Sequence, residues 1–164
     1  MLNKIAELVH TQGHCVLATC GGQPPVPHAS LMAYAAAPDC AEFWLATPRA
    51  TRKWRNLDAN PSASLLIDDR TAGAGRADLG GQRDASPGCA LTVSVRLLAF
   101  DSAADAAAAR AALLARHPGL ASFVDAEDVV LLRLKVLDFQ LLTGLSEVFF
   151  IQAEKMLDAR PRKA

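Results

Sequence analysis

Neither sign of charge predominates in this sequence, whose 164 residues include 17 lysines and arginines and 17 aspartates and glutamates. A formal net charge of zero creates no overall basic field, so the composition gives no support for nucleic-acid binding. The apolar runs are interrupted by charges well before they reach membrane-spanning length, and the first residues carry Lys4 and Glu7 in an amphipathic pattern. We therefore expect no transmembrane helix, no signal peptide and a cytoplasmic location.

The sequence also lacks the spacings of common metal and catalytic sites. Its four cysteines form no CxxC or CxxH pair, so we predict reduced thiols that act as small hydrophobic side chains, and no metal site. His10 and His14 are too isolated to form a metal site. No Ser-His-Asp or Cys-His arrangement follows from spacing alone, and the catalytic residues stay unknown at this point.

What is present is typical of one folded domain. Hydrophobic residues make up 51% of the chain and charged residues 21%, which is enough apolar material for a single substantial core. We predict a domain over residues 1–152 and a charged tail over 153–164. The glycine-rich run GAGRADLGG follows two aspartates and opens no apolar helix, so it lacks the context of a dinucleotide-binding fingerprint.

Hydrophobic periodicity predicts mostly short strands joined by turns, with helices at the start, in the middle and late in the chain. Residues 71–88 have little periodicity and are interpreted as a long mobile loop. Because strands and helices do not alternate regularly, the pattern favours a mainly β, antiparallel barrel with peripheral helices over a parallel α/β fold. The predicted strands are 14–20, 26–35, 42–46, 62–67, 89–100, 129–137, 139–142 and 148–151.

The most distinctive stretch is TPRATRKWRN, residues 47–56, where four cations gather at the start of a predicted helix. Positive charge opposes the dipole at this end of a helix, and a bound anion would remove the conflict. The first-turn N–H groups, the Thr51 hydroxyl and the heads of Arg52 and Lys53 could converge on a phosphate. The alternative is that this stretch is simply a solvated basic face.

Three segments together resemble the FMN-binding split-barrel family, the pyridoxamine 5′-phosphate oxidase-like proteins. HCVLATCGGQPPVPHASLMAY resembles the family's first hairpin, and ALTVSVRLLAF a later strand. Between them, LATPRATRK resembles the Ser/Thr-Arg-Lys motif that holds the flavin phosphate. The segment ARHPGLASFVDAEDVVLLRLKVLDFQLLTGLSEVFFI is similar to the haem-utilisation, HugZ-type branch. The resemblance implies an antiparallel split β-barrel that binds FMN.

By position, the resemblance also implies a cofactor site. Arg52 and Lys53 would hold the FMN phosphate with help from Thr51. Thr47 and the backbone of Ala46 would contact the ribityl chain or the ring edge. The isoalloxazine ring would lie against backbone groups of four further residues, and the cofactor would sit at the interface of a homodimer. Those four residues are His28, Ala29, Ser30 and Leu31. For His28, a structural strand histidine is an equal alternative.

The resemblance is incomplete at the substrate side. Ala90 stands where the oxidases have a glutamine that reaches the cofactor, and no counterpart of their substrate-binding Trp and Arg is found. The C-terminal extension that supplies a haem-ligating histidine in the HugZ-type branch is also absent from this sequence. The resemblance at the phosphate motif leads us to predict an FMN-dependent oxidoreductase. Because the substrate-binding residues have no counterpart, its small-molecule substrate is unknown. The alternatives are a non-enzymatic module that binds flavin or haem for storage, delivery or sensing, and a barrel that has lost its cofactor.

Overall fold

The computed structural model describes residues 1–69, 88–144 and 146–153. The predicted loop at 71–88, apart from Gly88, and the predicted charged tail, apart from Ala153, lie outside the described residues. The helices in these ranges are α1 (Leu2–Thr11), α2 (Arg52–Ala59), α3 (Ala103–Arg116) and α4 (Ala121–Val124), with a 3₁₀ turn at Pro118–Leu120. The strands are β1 (His14–Gly21), β2 (Val26–Ala33), β3 (Ala35–Ala36), β4 (Glu42–Pro48), β5 (Ser62–Asp68), β6 (Cys89–Leu98), β7 (Val129–Thr143) and β8 (Glu147–Gln152).

The strands of the described ranges form one curled, antiparallel sheet with the order β2-β1-β5-β6-β7-β4-β3. Strand β8 pairs with the second half of β7, beyond the part of β7 that pairs with β4. The mainly β, split-barrel prediction is therefore confirmed. Pro27, which cannot donate a ladder hydrogen bond, lies on β2 at the end of the sheet order.

Strand β7 differs from the prediction of two separate strands. It runs without interruption for 15 residues, and its register with β6 shifts between Ser94 and Val95. The shift leaves Leu137 without a partner on β6. The buried residues of β7 are even-numbered as far as Val136 and odd-numbered from Phe139 onward. A bulge of this kind reverses the inward and outward alternation. The sequence therefore showed two alternating runs where the structure has one strand.

The hydrophobic core lies inside the curl of the sheet and is covered by α1. Ile5, Leu8 and Val9 are the buried residues of that helix. Tyr34 separates β2 from β3 within the run predicted as a single strand, and its fully buried hydroxyl donates to the carbonyl of Val9 over 2.7 Å. Burial of this polar tip is thus matched by a hydrogen bond. A smaller cluster around Leu113 packs α3 against β3 and β4.

Candidate functional site

A cavity of about 320 Å³ opens between β2, β4, the start of α2 and the segment that follows α3. Its volume lies within the range of small-molecule sites. Four of the nine predicted cofactor residues line this cavity. Leu31 lies on β2, Ala46 and Thr47 lie on β4, and Lys53 lies on α2. The described lining residues are Leu31, Met32, Ala33, Ala46, Thr47, Pro48, Lys53, Leu120 and Phe123.

The turn from β4 into α2 is held by two threonine hydroxyls. Thr51 is the N-cap of α2: its Oγ1 donates to the carbonyl of Pro48 over 2.8 Å and accepts from the backbone N–H of Trp54. The Oγ1 atoms of Thr47 and Thr51 lie 3.1 Å apart. Since the single proton of Thr51 is used on Pro48, the Thr47 hydroxyl is the donor of that pair. The Thr51 hydroxyl, predicted to reach a phosphate, is therefore engaged in shaping the turn.

The four cations of the predicted basic stretch have different surroundings. The guanidinium of Arg49 lies over the Trp54 ring, 5.6 Å from its centroid, and Arg55 donates to the carbonyl of Ala50 over 3.0 Å. Arg52 is exposed and Lys53 is half-buried in the cavity wall. Neither Arg52 nor Lys53 forms an ion pair with any residue that the structure describes. These two heads, at the first two positions of α2, are therefore available to an anion.

The predicted ring-binding residues on β2 divide between its two faces. His28 and Ser30 are half-buried, and His28 Nε2 lies 3.1 Å from Ser30 Oγ. Ala29 and Leu31 are exposed on the other face, and among the four only Leu31 lines the cavity. Because β2 ends the sheet order, the backbone groups on its edge away from β1 have no strand partner within the described ranges. Backbone contact with a ligand is geometrically open on that edge.

Sequence reasoning missed a buried polar link beneath this site. Asn56 of α2 donates from Nδ2 to Oγ1 of Thr19 over 3.0 Å, and both residues are buried. Thr19 in turn points at the carbonyl of His28, 3.5 Å away. A methyl group on Gly21 would lie 2.6 Å from Asn56 Oδ1. The only signal in the sequence was an asparagine on the otherwise apolar side of a basic helix.

The remaining titratable groups supply no acid, base or nucleophile to the described part of the cavity lining. Burial raises the pKa of the Cys15 thiol to about 12, so this cysteine is a packing residue rather than a nucleophile. Among the described residues, no group of three His, Cys, Asp or Glu side chains could hold a metal ion. Each histidine ring instead contacts a neighbouring group. These contacts are His10 with Cys40 Sγ, His14 with the ring of His117, His28 with Ser30, and His117 with the carbonyl of Tyr34.

None of the helices within the described ranges combines the length and the hydrophobicity needed to cross a bilayer. Sequence reasoning also missed Leu120 and Phe123 of the cavity lining.

Comparison with solved structures finds many chains with this fold. A haem-binding protein from Mycobacterium smegmatis is 19% identical with a TM-score of 0.77, over 96% of this chain and 60% of that one. This chain therefore spans less than two thirds of the length of that protein. HutZ, a haem storage protein from Vibrio cholerae, is 16% identical with a TM-score of 0.58, over 90% of this chain and 92% of that one. A putative pyridoxamine 5′-phosphate oxidase from Listeria innocua is 14% identical with a TM-score of 0.60, over 86% and 97% of the two chains.

These identities are low and show a shared fold. None of the curated proteins matches the sequence. The sequence profile described as pyridoxamine 5′-phosphate oxidase, however, matches residues 1–142, which include β1 to β6 and most of β7. The chain therefore belongs to the pyridoxamine 5′-phosphate oxidase family.

Proposed function

We propose that this protein is an FMN-binding flavoprotein that transfers electrons or hydride to or from a small molecule. The observation that carries the proposal is that the half-buried cation Lys53 shares one cavity with Leu31, Ala46 and Thr47. A site for FMN needs an anion-binding end and an apolar slot for a planar ring, and the described residues of this cavity offer both.

The phosphate end is argued from the start of α2. The N–H groups of a helix's first turn have no partner within the helix, and the dipole favours negative charge there. Arg52 and Lys53 occupy the first two positions of α2, and no described residue neutralises them. Two cations repel each other at this end of the helix, and a dianionic phosphate would relieve that repulsion through charge-assisted hydrogen bonds.

The ring end is argued from the apolar part of the lining. Leu31, Met32 and Ala33 come from β2, and Ala46 from β4. A few backbone groups on the edge of β2 would orient the ring, as is usual in largely apolar pockets. When bound, the flavin supplies the redox chemistry. The described residues of the wall, which include no carboxylate, histidine or cysteine, would orient the ring and exclude water.

A homodimer is the second part of the proposal. Directly opposed residues in antiparallel pairs share a face, and the registers place one outward row across six strands, from Leu31 to Phe150. Leu31 is 73% exposed and Phe150 75% exposed. Between them lie the apolar residues Val16 and Leu66 and the polar residues Thr92 and Gln140. Because Leu31 also lines the cavity, a second copy seated on this row would cover the cavity's open side.

A haem-binding module is the second candidate, favoured by the haem-binding proteins among the structural neighbours. The described residues support it less well. None of the four histidines lines the described part of the cavity, and His28, the one on β2, is turned toward Ser30. A haem iron bound in this cavity and held by an imidazole would need one of these rings to move into the cavity.

The experiment is a visible absorption spectrum of the purified protein, before and after reconstitution with FMN and separately with haemin. We expect a flavin spectrum, release of FMN on heating, and reduction by a nicotinamide donor under anaerobic conditions. A Soret band together with failure to retain FMN would favour the haem module. Retention of neither ligand would contradict both candidates, and FMN retention without turnover by any donor would leave a flavin-binding module without enzyme activity.

A further inference from the structure

Part of the cavity lining comes from outside the sheet and α2. Leu120 lies at the end of the 3₁₀ turn and Phe123 on α4, and both are half-buried. Phe123 is the one aromatic side chain among the described lining residues. A ring system that entered this cavity beside Lys53 would therefore meet a single aromatic surface, supplied by a helix of four residues.

Phe123 is held in place by packing against residues of other elements. Its side chain packs against the small cluster of Ala35, Ala46 and Leu113, which joins β3, β4 and α3. Ala46 thus touches both the cavity and the residues that brace its aromatic wall. A side chain held in this way loses little conformational entropy when a ligand binds. The free energy of its contact with the ligand therefore adds to the affinity with little offset.

The segment around Phe123 is also tied to the turn that presents the cations. The backbone N–H of Arg49 donates to the carbonyl of Asp128 over 2.8 Å, and Arg110 forms an ion pair with Asp125. On the other side, the His117 ring lies 2.9 Å from the carbonyl of Tyr34. These contacts connect the segment that carries Phe123 to the turn between β4 and α2, which presents the cations.

We propose that Phe123 is a specificity-determining residue of this site, which contacts the aromatic ring of the bound flavin while Lys53 and Arg52 hold its phosphate. The inference rests on the proposed function and adds to it that α4 selects for a planar aromatic ligand. A phosphorylated compound without such a ring gains nothing from this wall. Affinity therefore divides between a ring contact and phosphate contacts, which belong to different side chains and can be altered separately.

The test is equilibrium titration of FMN, and of riboflavin, which has the ring without the phosphate, into Phe123→Ala, Phe123→Leu and Val124→Ala. Val124 lies on the same helix and packs against the same cluster but is absent from the described lining, so it is the matched control. Thermal unfolding of each variant monitors the fold. Loss of aromatic stacking should weaken FMN and riboflavin binding to Phe123→Ala by the same factor, about tenfold.

Phe123→Leu keeps apolar volume without the aromatic face, so we expect a smaller loss for both ligands and weaker quenching of flavin fluorescence. If Phe123→Ala does not fold, the affinities of Phe123→Leu for FMN and riboflavin provide the test. If wild-type protein binds FMN and both Phe123 variants bind it as Val124→Ala does, the inference is wrong and the proposed function stands. If Phe123→Ala weakens FMN but not riboflavin, the wall does not contact the ring and the inference is also wrong. Failure of the wild-type protein to bind FMN would overturn the proposed function itself.

Discussion

The side-chain amide of Asn56 donates a hydrogen bond to Oγ1 of Thr19 over 3.0 Å, and this bond joins α2 to β1. Both side chains are buried, with 6% and 3% of their surfaces exposed. Strand β1 pairs with β2, which supplies part of the apolar lining of the cavity, while α2 supplies Lys53. The bond therefore helps to hold α2 against the strand that pairs with β2.

Replacing Asn56 by alanine should lower the free energy of unfolding by about 1–3 kcal/mol, because the Thr19 hydroxyl would stay buried with one partner fewer. It should also weaken FMN binding by allowing α2 to shift. The matched control is Asn60→Ala, since Asn60 is exposed and so are both of its side-chain hydrogen bonds, to the carbonyl of Cys20 over 3.4 Å and from the N–H of Ser62 over 3.2 Å. Urea denaturation measures both variants, and equal stabilities for the two would contradict a structural role of the buried amide.

Gly21 lies against the same asparagine. A Cβ at this position would approach Asn56 Oδ1 to 2.6 Å and the Asn56 Cα to 3.1 Å, so helix and strand would have to move apart. We expect Gly21→Ala to destabilise the protein by about 1–3 kcal/mol. Gly119→Ala is the control, because a Cβ there meets nothing within 4 Å, and it should change stability by less than about 0.5 kcal/mol. Thermal melts that show no difference between the variants would count against this close contact.

Much of the fold followed from local patterns in the sequence. Strand β6 alternates clearly, α3 is rich in alanine and starts at the capping residue Ser102, and the turn into α2 carries its own N-cap, Thr51. These features depend on residues close together in the chain, where propensity and capping act. The bulge near Leu137 did not follow, since a change of alternation is indistinguishable from a break between strands until the partner strand is known.

The candidate site was predictable only in part, for the same reason. The cations at the start of α2 are adjacent in sequence and were recognised together. The wall that Phe123 provides depends on how α4 packs against Ala46 and Leu113, which are far apart in the chain. The Asn56–Thr19 bond spans 37 residues, and nothing local marks either partner as buried.

The thiol of Cys15 should make stability depend on pH under alkaline conditions. Burial raises its pKa from 9.0 to about 12, so above pH 9.0 the unfolded chain loses a proton that the folded chain keeps. Stability is then fully present below pH 9.0 and falls as the pH rises toward 12, by up to about 1.4 kcal/mol per pH unit for this group.

Tyr34 and Cys89, whose pKa values are also raised by burial, add to the decline in every variant. Cys15→Ala isolates the contribution of one thiol, because the variant should lose stability with pH less steeply than the wild type. Denaturant titrations across the alkaline range measure the two slopes. Parallel slopes would show that Cys15 ionises alike in the folded and unfolded chains.

The proposed dimer interface can be tested at Phe150. Phe150 is 75% exposed at one end of the outward row. A charge at this position would be buried without a partner in a dimer, so Phe150→Glu should shift the protein to monomer in sedimentation velocity. Ala107→Glu is the control, on the exposed side of α3. A wild-type monomer, or a dimer unaffected by Phe150→Glu, would remove this face as the interface between copies.

The most direct test of the account is the difference between FMN and riboflavin binding in the wild type and in Arg52→Ala/Lys53→Ala. The two ligands differ only in the phosphate, so their ratio of dissociation constants measures the phosphate end alone. Arg55→Ala, an exposed cation already bonded to Ala50, is the control. We expect wild type and Arg55→Ala to favour FMN by at least about a hundredfold, since each charge-assisted hydrogen bond contributes about 1.5–3 kcal/mol. The double variant should lose most of this preference, since only the N–H groups at the start of α2 would remain for the phosphate. An unchanged preference for FMN in the double variant would contradict the assignment of Arg52 and Lys53 to the phosphate.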